Sequence, residues 1–172
     1  MSGDAELKKN RILVLIDLPN LLINMDCGLD PQKFKAECGF EKMLKRLKAI
    51  GDIEMVLVFA STKTPGMYLY QHFFYDKGFL VITCPHLEKD TTDDTLIKLA
   101  EKMIDNYTGI THLCLVSGDH HFGTTLIKAK ERREKIIIIS PIISSLSDEL
   151  IPLADTDEQG RKMIYLFSPL TE

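Results

Sequence analysis

Six short apolar runs, rich in β-branched residues, constrain what this chain can fold into: Arg11 to Ile16, Ile53 to Phe59, Phe79 to Cys84, His112 to Val116, Lys135 to Ile139 and Met163 to Phe167. Each has the length and composition of a strand. They are almost continuously apolar instead of alternating, so both faces must be covered, which is the habit of parallel sheets. Helical spacing fills the intervals. Phe40, Met43, Leu44 and Leu47 recur at i, i+3, i+4 and i+7, as do Leu96, Leu99, Ala100 and Met103, followed by Tyr107. Tyr68, Tyr70, His72 and Phe74 read as a helix laying an aromatic face on the sheet. Strand and helix alternate, which predicts an α/β layered domain with right-handed crossovers. Gly51, Gly78 and Gly109 fall between a helical stretch and the next strand, where a helix-ending glycine belongs.

With 172 residues and 45% hydrophobic content, the chain suits one domain that buries its own core without disulfides or a structural metal. The cysteines agree: Cys27, Cys38, Cys84 and Cys114 are scattered, with no C-x-x-C and no histidine at zinc-ligand spacing. They read as buried or idle thiols in a reducing compartment. No run is long enough to span a bilayer and the first ten residues are polar, so a cytoplasmic protein with no membrane partner is expected.

A net charge of -4 argues against binding nucleic acid through overwhelming positive charge, yet leaves room for a local basic face. Two helices carry basic clusters: Lys42, Lys45, Arg46 and Lys48 in one, and Lys128, Lys130, Arg132, Arg133 and Lys135 around the end of the other. Each is either a solvated face or a phosphate-tracking patch.

The aspartates are more informative. Asp17 ends the first strand in VLIDLPNLL, and Asp119 follows the fourth in CLVSGDHHF. Ligands of doubly wound sheets bind outside the carboxyl ends of the strands, so both should face one crevice. Asp93 and Asp94 open the helix after KDTT, on the same side if the third strand is parallel to the others. Gathered carboxylates repel one another unless a proton or a cation intervenes, and a hard divalent cation resolves this with few protein ligands. That chemistry points to phosphoryl transfer or phosphoester hydrolysis. Each aspartate also has a structural reading: all four stand where acids cap helices or complement the helix dipole. Asn20 is placed to hold a water or an acidic neighbour in the crevice, or simply to start a helix. His120 and His121 are either a ligand or proton shuttle, or exposed loop residues. Ser61 and Lys63 after the second strand, Ser117 before Asp119, and Lys128 and Arg132 are candidate nucleic-acid contacts.

These motifs resemble a known family. VLIDLPNLL is similar to the first motif of NYN domains, the PIN-like nucleases of the LabA type, in which an asparagine follows three residues after the strand-ending aspartate. SGDHHF resembles their S-G-D-S-D-F signature, and KDTTDDTLIKLA their K-G-x-D helix start. The resemblance runs from about Arg11 to Asp155, and makes residues 1–172 a single NYN (PIN-like) domain with LSDELIPLAD as a final helix segment. It implies a three-layer α/β/α sandwich with a mainly parallel, Rossmann-like sheet. It also implies cleavage of RNA dependent on Mg2+ or Mn2+, with Asp17, Asp119 and one of Asp93 or Asp94 as metal-binding carboxylates and Asn20 supporting them. Two departures stand out. Leu18 and Pro19 replace the family's glycine after the first aspartate, and His121 replaces the second aspartate of the last motif. A lost carboxylate weakens a site for a hard cation, whereas an imidazole biases it towards manganese or another transition metal.

Three functions are compatible with these residues: a metal-dependent endoribonuclease, a non-catalytic module binding RNA or protein through the same cleft, and a hydrolase of small phosphate esters. Haloacid-dehalogenase chemistry is disfavoured, because the second aspartate of that motif is Pro19 here. A dinucleotide-binding domain is disfavoured because no G-x-G-x-x-G follows the first strand. Protein partners and oligomeric state are not legible in the sequence.

Overall fold

All six expected strands form, and every pairing between them is parallel. The computed structural model describes residues 9–24, 39–62, 67–84 and 91–167. In chain order the elements are β1 (Arg11–Asp17), α1 (Leu18–Asn24), α2 (Phe40–Ile50), β2 (Asp52–Ser61), α3 (Met67–Asp76), β3 (Leu80–Cys84), α4 (Thr91–Asn106), β4 (His112–Val116), α5 (Gly123–Glu131), β5 (Lys135–Ser140) and β6 (Ile164–Leu166). Short 3-10 turns lie at His120–Phe122, Ile143–Ser145 and Ile151–Leu153. The expected final helix is therefore only turns and the last 3-10 segment. Pro152 there has no N–H to donate to an α-helical ladder.

The sheet order is β3-β2-β1-β4-β5-β6. Chain progression runs outward from β1 to β3, then returns to the other side of β1 and runs outward again. Right-handed crossovers place helices on opposite faces when progression reverses, and the two cores record this. On one face Ile12, Val14 and Ile16 of β1 pack with Leu18 and Leu21 of α1, Phe40, Met43 and Leu47 of α2, and Tyr70, Phe73 and Phe74 of α3. On the other, Leu13 and Leu15 pack with Leu96, Ala100 and Ile104 of α4 and with Leu126 and Ala129 of α5. Each strand alternates between the two, giving the three-layer α/β/α sandwich. Each fully buried aliphatic side chain contributes about 1.5–3 kcal/mol over an exposed one.

Helical phase differs from expectation at two places. Ile104, not Met103, is the buried residue one turn beyond Ala100, and His72 is exposed on the outer side of α3 while Phe73 turns inward. Gly78 and Gly109 hold positive φ of 74° and 91°, as helix-ending glycines do, but Gly51 is extended. Its lack of a side chain answers a close approach instead, since a Cβ there would sit 2.5 Å from the Asn10 carbonyl oxygen. Cys84 and Cys114 are free and buried; Cys27 and Cys38 lie outside the described residues. No helix among the described residues is long and apolar enough to cross a membrane.

Candidate active site at the switch point of the sheet

β1 and β4 are hydrogen-bonded neighbours, but the chain leaves them towards opposite faces, into α1 from one and towards α5 from the other. Such divergence opens a crevice at the carboxyl ends of the two strands. Asp17 is the last residue of β1, and Ser117, Gly118 and Asp119 follow β4.

A buried hydroxyl joins the two aspartates. Ser117 is fully buried; its Oγ donates to Asp17 Oδ2 at 2.9 Å and accepts from the Asp119 backbone N–H at 3.1 Å. Ser117, a candidate nucleic-acid contact in the sequence, is thus a buried hydroxyl engaged with the Asp17 carboxylate and the Asp119 backbone. Asp17 is only 6% exposed, and its Oδ1 accepts the Asn20 N–H at 3.2 Å, so it also caps α1. Asn20 in turn accepts the Gly118 N–H on its side-chain oxygen at 3.2 Å, tying α1 to the loop after β4. Its amide oxygen is thus spent on backbone.

Asp119 caps the His120–Phe122 turn through its Oδ1, which accepts the His121 N–H at 3.0 Å. The same oxygen lies 2.8 Å from His121 Nδ1 and 3.4 Å from His120 Nδ1. The two imidazoles lie against each other, with ring centres 4.1 Å apart. Among the described residues, Asp119, His120 and His121 are the carboxylates and imidazoles whose ligand atoms all fall within 4.8 Å of one another. One carboxylate with two neutral imidazoles is a donor set suited to a divalent cation.

The other sequence candidates are placed less closely. Asp94 is exposed in the first turn of α4, a helix that packs against the His120–Phe122 turn. The side chain of Asp93 and the whole of Lys63 lie outside the described residues. Ser61 ends β2 and is buried. Lys128 pairs with Asp105 at 2.7 Å, and Arg132 donates to the carbonyls of Ile104 and Tyr107 at the end of α4. Arg132 stands just ahead of β5, so it is at the amino pole of the sheet, away from the crevice, and acts as a helix-ending clamp.

Sequence reasoning missed the loop that backs the site. Ser147 donates its N–H to the Gly118 carbonyl at 2.9 Å, and a Cβ on Gly118 would overlap the Ser145 carbonyl oxygen. Ser145 is held by Ser140 at 3.1 Å between hydroxyls. The signal was a strand ending in serine and followed by P-I-I-S-S-L-S, a polar loop at a carboxyl strand end. Neither described cysteine is a nucleophile here, because burial pushes the Cys84 and Cys114 thiols up.

The family model of the NYN domain matches residues 11–157, most of the chain. That family lies within the PIN-like nuclease superfamily, whose members generally use divalent metals. No curated protein matches the chain.

Proposed function

The chain belongs to the NYN domain family, and on that premise we propose that it is a divalent-metal-dependent endoribonuclease hydrolysing RNA phosphodiesters at the crevice between β1 and β4. The observation that carries this reading is the convergence of Asp17 and Asp119 on the single buried hydroxyl of Ser117. Capping alone explains each aspartate separately but not their shared tether.

Asp17, Asp119 and one of Asp93 or Asp94 would hold the ion, Mg2+ or Mn2+, with His121 in the position of a further acid. When bound, such an ion stabilises charge on the phosphodiester and activates water. The chain's own residues fix the geometry. Ser117 locks the carboxyl ends of the two strands in register, and Asn20 pins α1 to Gly118, so Asp17 cannot drift from Asp119. Asp119 Oδ2 takes no hydrogen bond from the described residues and is the oxygen available to a ligand. Lys42 and Arg46, in the first two turns of α2, supply positive charge for the rest of the strand.

The test is cleavage of a labelled RNA with Mg2+, Mn2+ or EDTA, beside an Asp119→Asn protein shown to be folded. Metal-dependent cleavage that disappears in the variant is the expected result. Undiminished cleavage by the variant, or none by the wild type with any metal, overturns the reading. A second reading, a module that binds RNA without turnover, is favoured by one observation: His121 Nδ1 sits 2.8 Å from the Asp119 carboxylate where a second acid would otherwise stand. It predicts RNA binding with no cleavage.

A further inference from the structure

We propose that Asp119, His120 and His121 form a nitrogen-ligated site for a borderline transition ion of the Zn2+ or Co2+ class, selective against Mg2+. This deepens the reading above and rests on it for location, but its readout is ion binding, not cleavage.

Capping accounts for only part of this cluster. A turn cap needs one carboxylate oxygen and one backbone N–H, and Asp119 Oδ1 with the His121 N–H supplies both. Two consecutive imidazoles then crowd the same oxygen at 2.8 and 3.4 Å, while Oδ2 takes no hydrogen bond from the described residues. Their ring centres are 4.1 Å apart, and one nitrogen of each lies within 4.8 Å of the other and of an Asp119 carboxylate oxygen. With side chains 53% and 51% exposed, both can turn onto an ion without disturbing the core.

Ligand chemistry decides the metal. Imidazole nitrogen suits zinc, copper, nickel and iron, whereas magnesium requires oxygen donors in near-octahedral array. Three protein ligands with a position left open is the arrangement of hydrolytic zinc sites. Support beneath the ligands is present as well: the Asp119 backbone is held by Ser117 Oγ, which is itself anchored on Asp17. Such outer contacts orient ligands and tune affinity.

Untagged full-length protein, stripped with EDTA and exchanged into chelator-free buffer, is titrated with Zn2+, Co2+ and Mg2+ by calorimetry, and the visible absorption of the Co2+ form is recorded. One equivalent of Zn2+ or Co2+ should bind at least about tenfold more tightly than Mg2+, with a Co2+ spectrum showing nitrogen ligation. His120→Ala and His121→Ala should each weaken Zn2+ by about tenfold or more and alter the Co2+ spectrum, while His120→Ala changes Mg2+ affinity by less than about twofold. His72→Ala, an exposed imidazole on α3, should change nothing. Mg2+ matching Zn2+, Zn2+ binding that survives both variants, or equal loss in His72→Ala overturns the proposal. The two readings fail separately. Histidine-dependent Zn2+ binding with no cleavage by any metal sinks only the nuclease, and metal-dependent cleavage beside Zn2+ binding that survives both histidine variants sinks only this site.

Discussion

The Ser117 hydroxyl reaches across the switch point to Asp17 and donates to its Oδ2 at 2.9 Å, from a position with no solvent exposure. The same oxygen accepts from the Asp119 backbone, so one atom sets the spacing of both acidic strand ends.

Ser117→Ala should therefore affect stability and activity together. Removing the hydroxyl takes one hydrogen bond from the buried Asp17 carboxylate and one from the Asp119 N–H, a loss of about 1–3 kcal/mol. Chemical denaturation reads the stability, and a cleavage assay under conditions where the variant is fully folded reads the displacement of the carboxylates. A variant as stable and active as the wild type would remove Ser117 from the site.

Gly118→Ala tests the loop that backs the crevice. The added methyl would overlap the Ser145 carbonyl oxygen, so residues 141–147 must move or the Gly118 N–H must leave Asn20. Overpacking of this kind costs about 1–3 kcal/mol. A melting temperature equal to that of the wild type would show that the loop gives way freely.

Arg132 and the pair Lys42 and Arg46 should behave oppositely towards RNA. Arg132→Ala lowers the melting temperature by unclamping α4 and leaves RNA affinity within about twofold, as its charge sits at the far pole of the sheet. Lys42 and Arg46 border a cavity of about 220 Å³ beside Tyr165 and Phe167, with the Arg46 guanidinium 4.5 Å from the centre of the Tyr165 ring. Neutralising both should weaken RNA binding and reduce the slope of log affinity against log salt by about 1–2. Binding isotherms at several salt concentrations check both halves.

Glu134 gives a pH prediction. Its side chain is buried, its Oε2 has no hydrogen-bond partner among the described residues, and burial pushes its carboxyl up to about 7 despite Arg132 at 3.8 Å, which pulls the other way. Between its ordinary value of 4.5 and about 7 the folded state holds a proton that the unfolded state has released, so stability falls as pH rises through that window. The full swing is on the order of 3 kcal/mol. His112 acts in the opposite sense: burial lowers its value from 6.5, and it costs stability as pH drops below that. Comparing wild type with Glu134→Gln by thermal unfolding from pH 5 to pH 8 isolates the carboxyl. The variant should be relatively more stable at pH 8, and an identical pH dependence in both proteins refutes the assignment.

Strands, layers and the acidic strand ends were legible in the sequence because they rest on local physics. Continuous β-branched runs need cover on both faces, and an aspartate that ends such a run must emerge at a carboxyl edge. Asp17 and Asp119 needed no more than that. What joins them was not legible, since the partner of Asp17 is 100 residues away and only the β1 to β4 pairing brings Ser117 beside it. The same holds for Arg132, whose sequence reads as a basic patch and whose position turns it into a clamp on α4. Ser117, a polar residue at a strand end, looked like a phosphate contact and proved to be fully buried. Local sequence determined which elements form and which residues stand at their ends. Tertiary structure decided which polar groups face each other, because that depends on strand order, set by how the whole chain buries its two apolar cores.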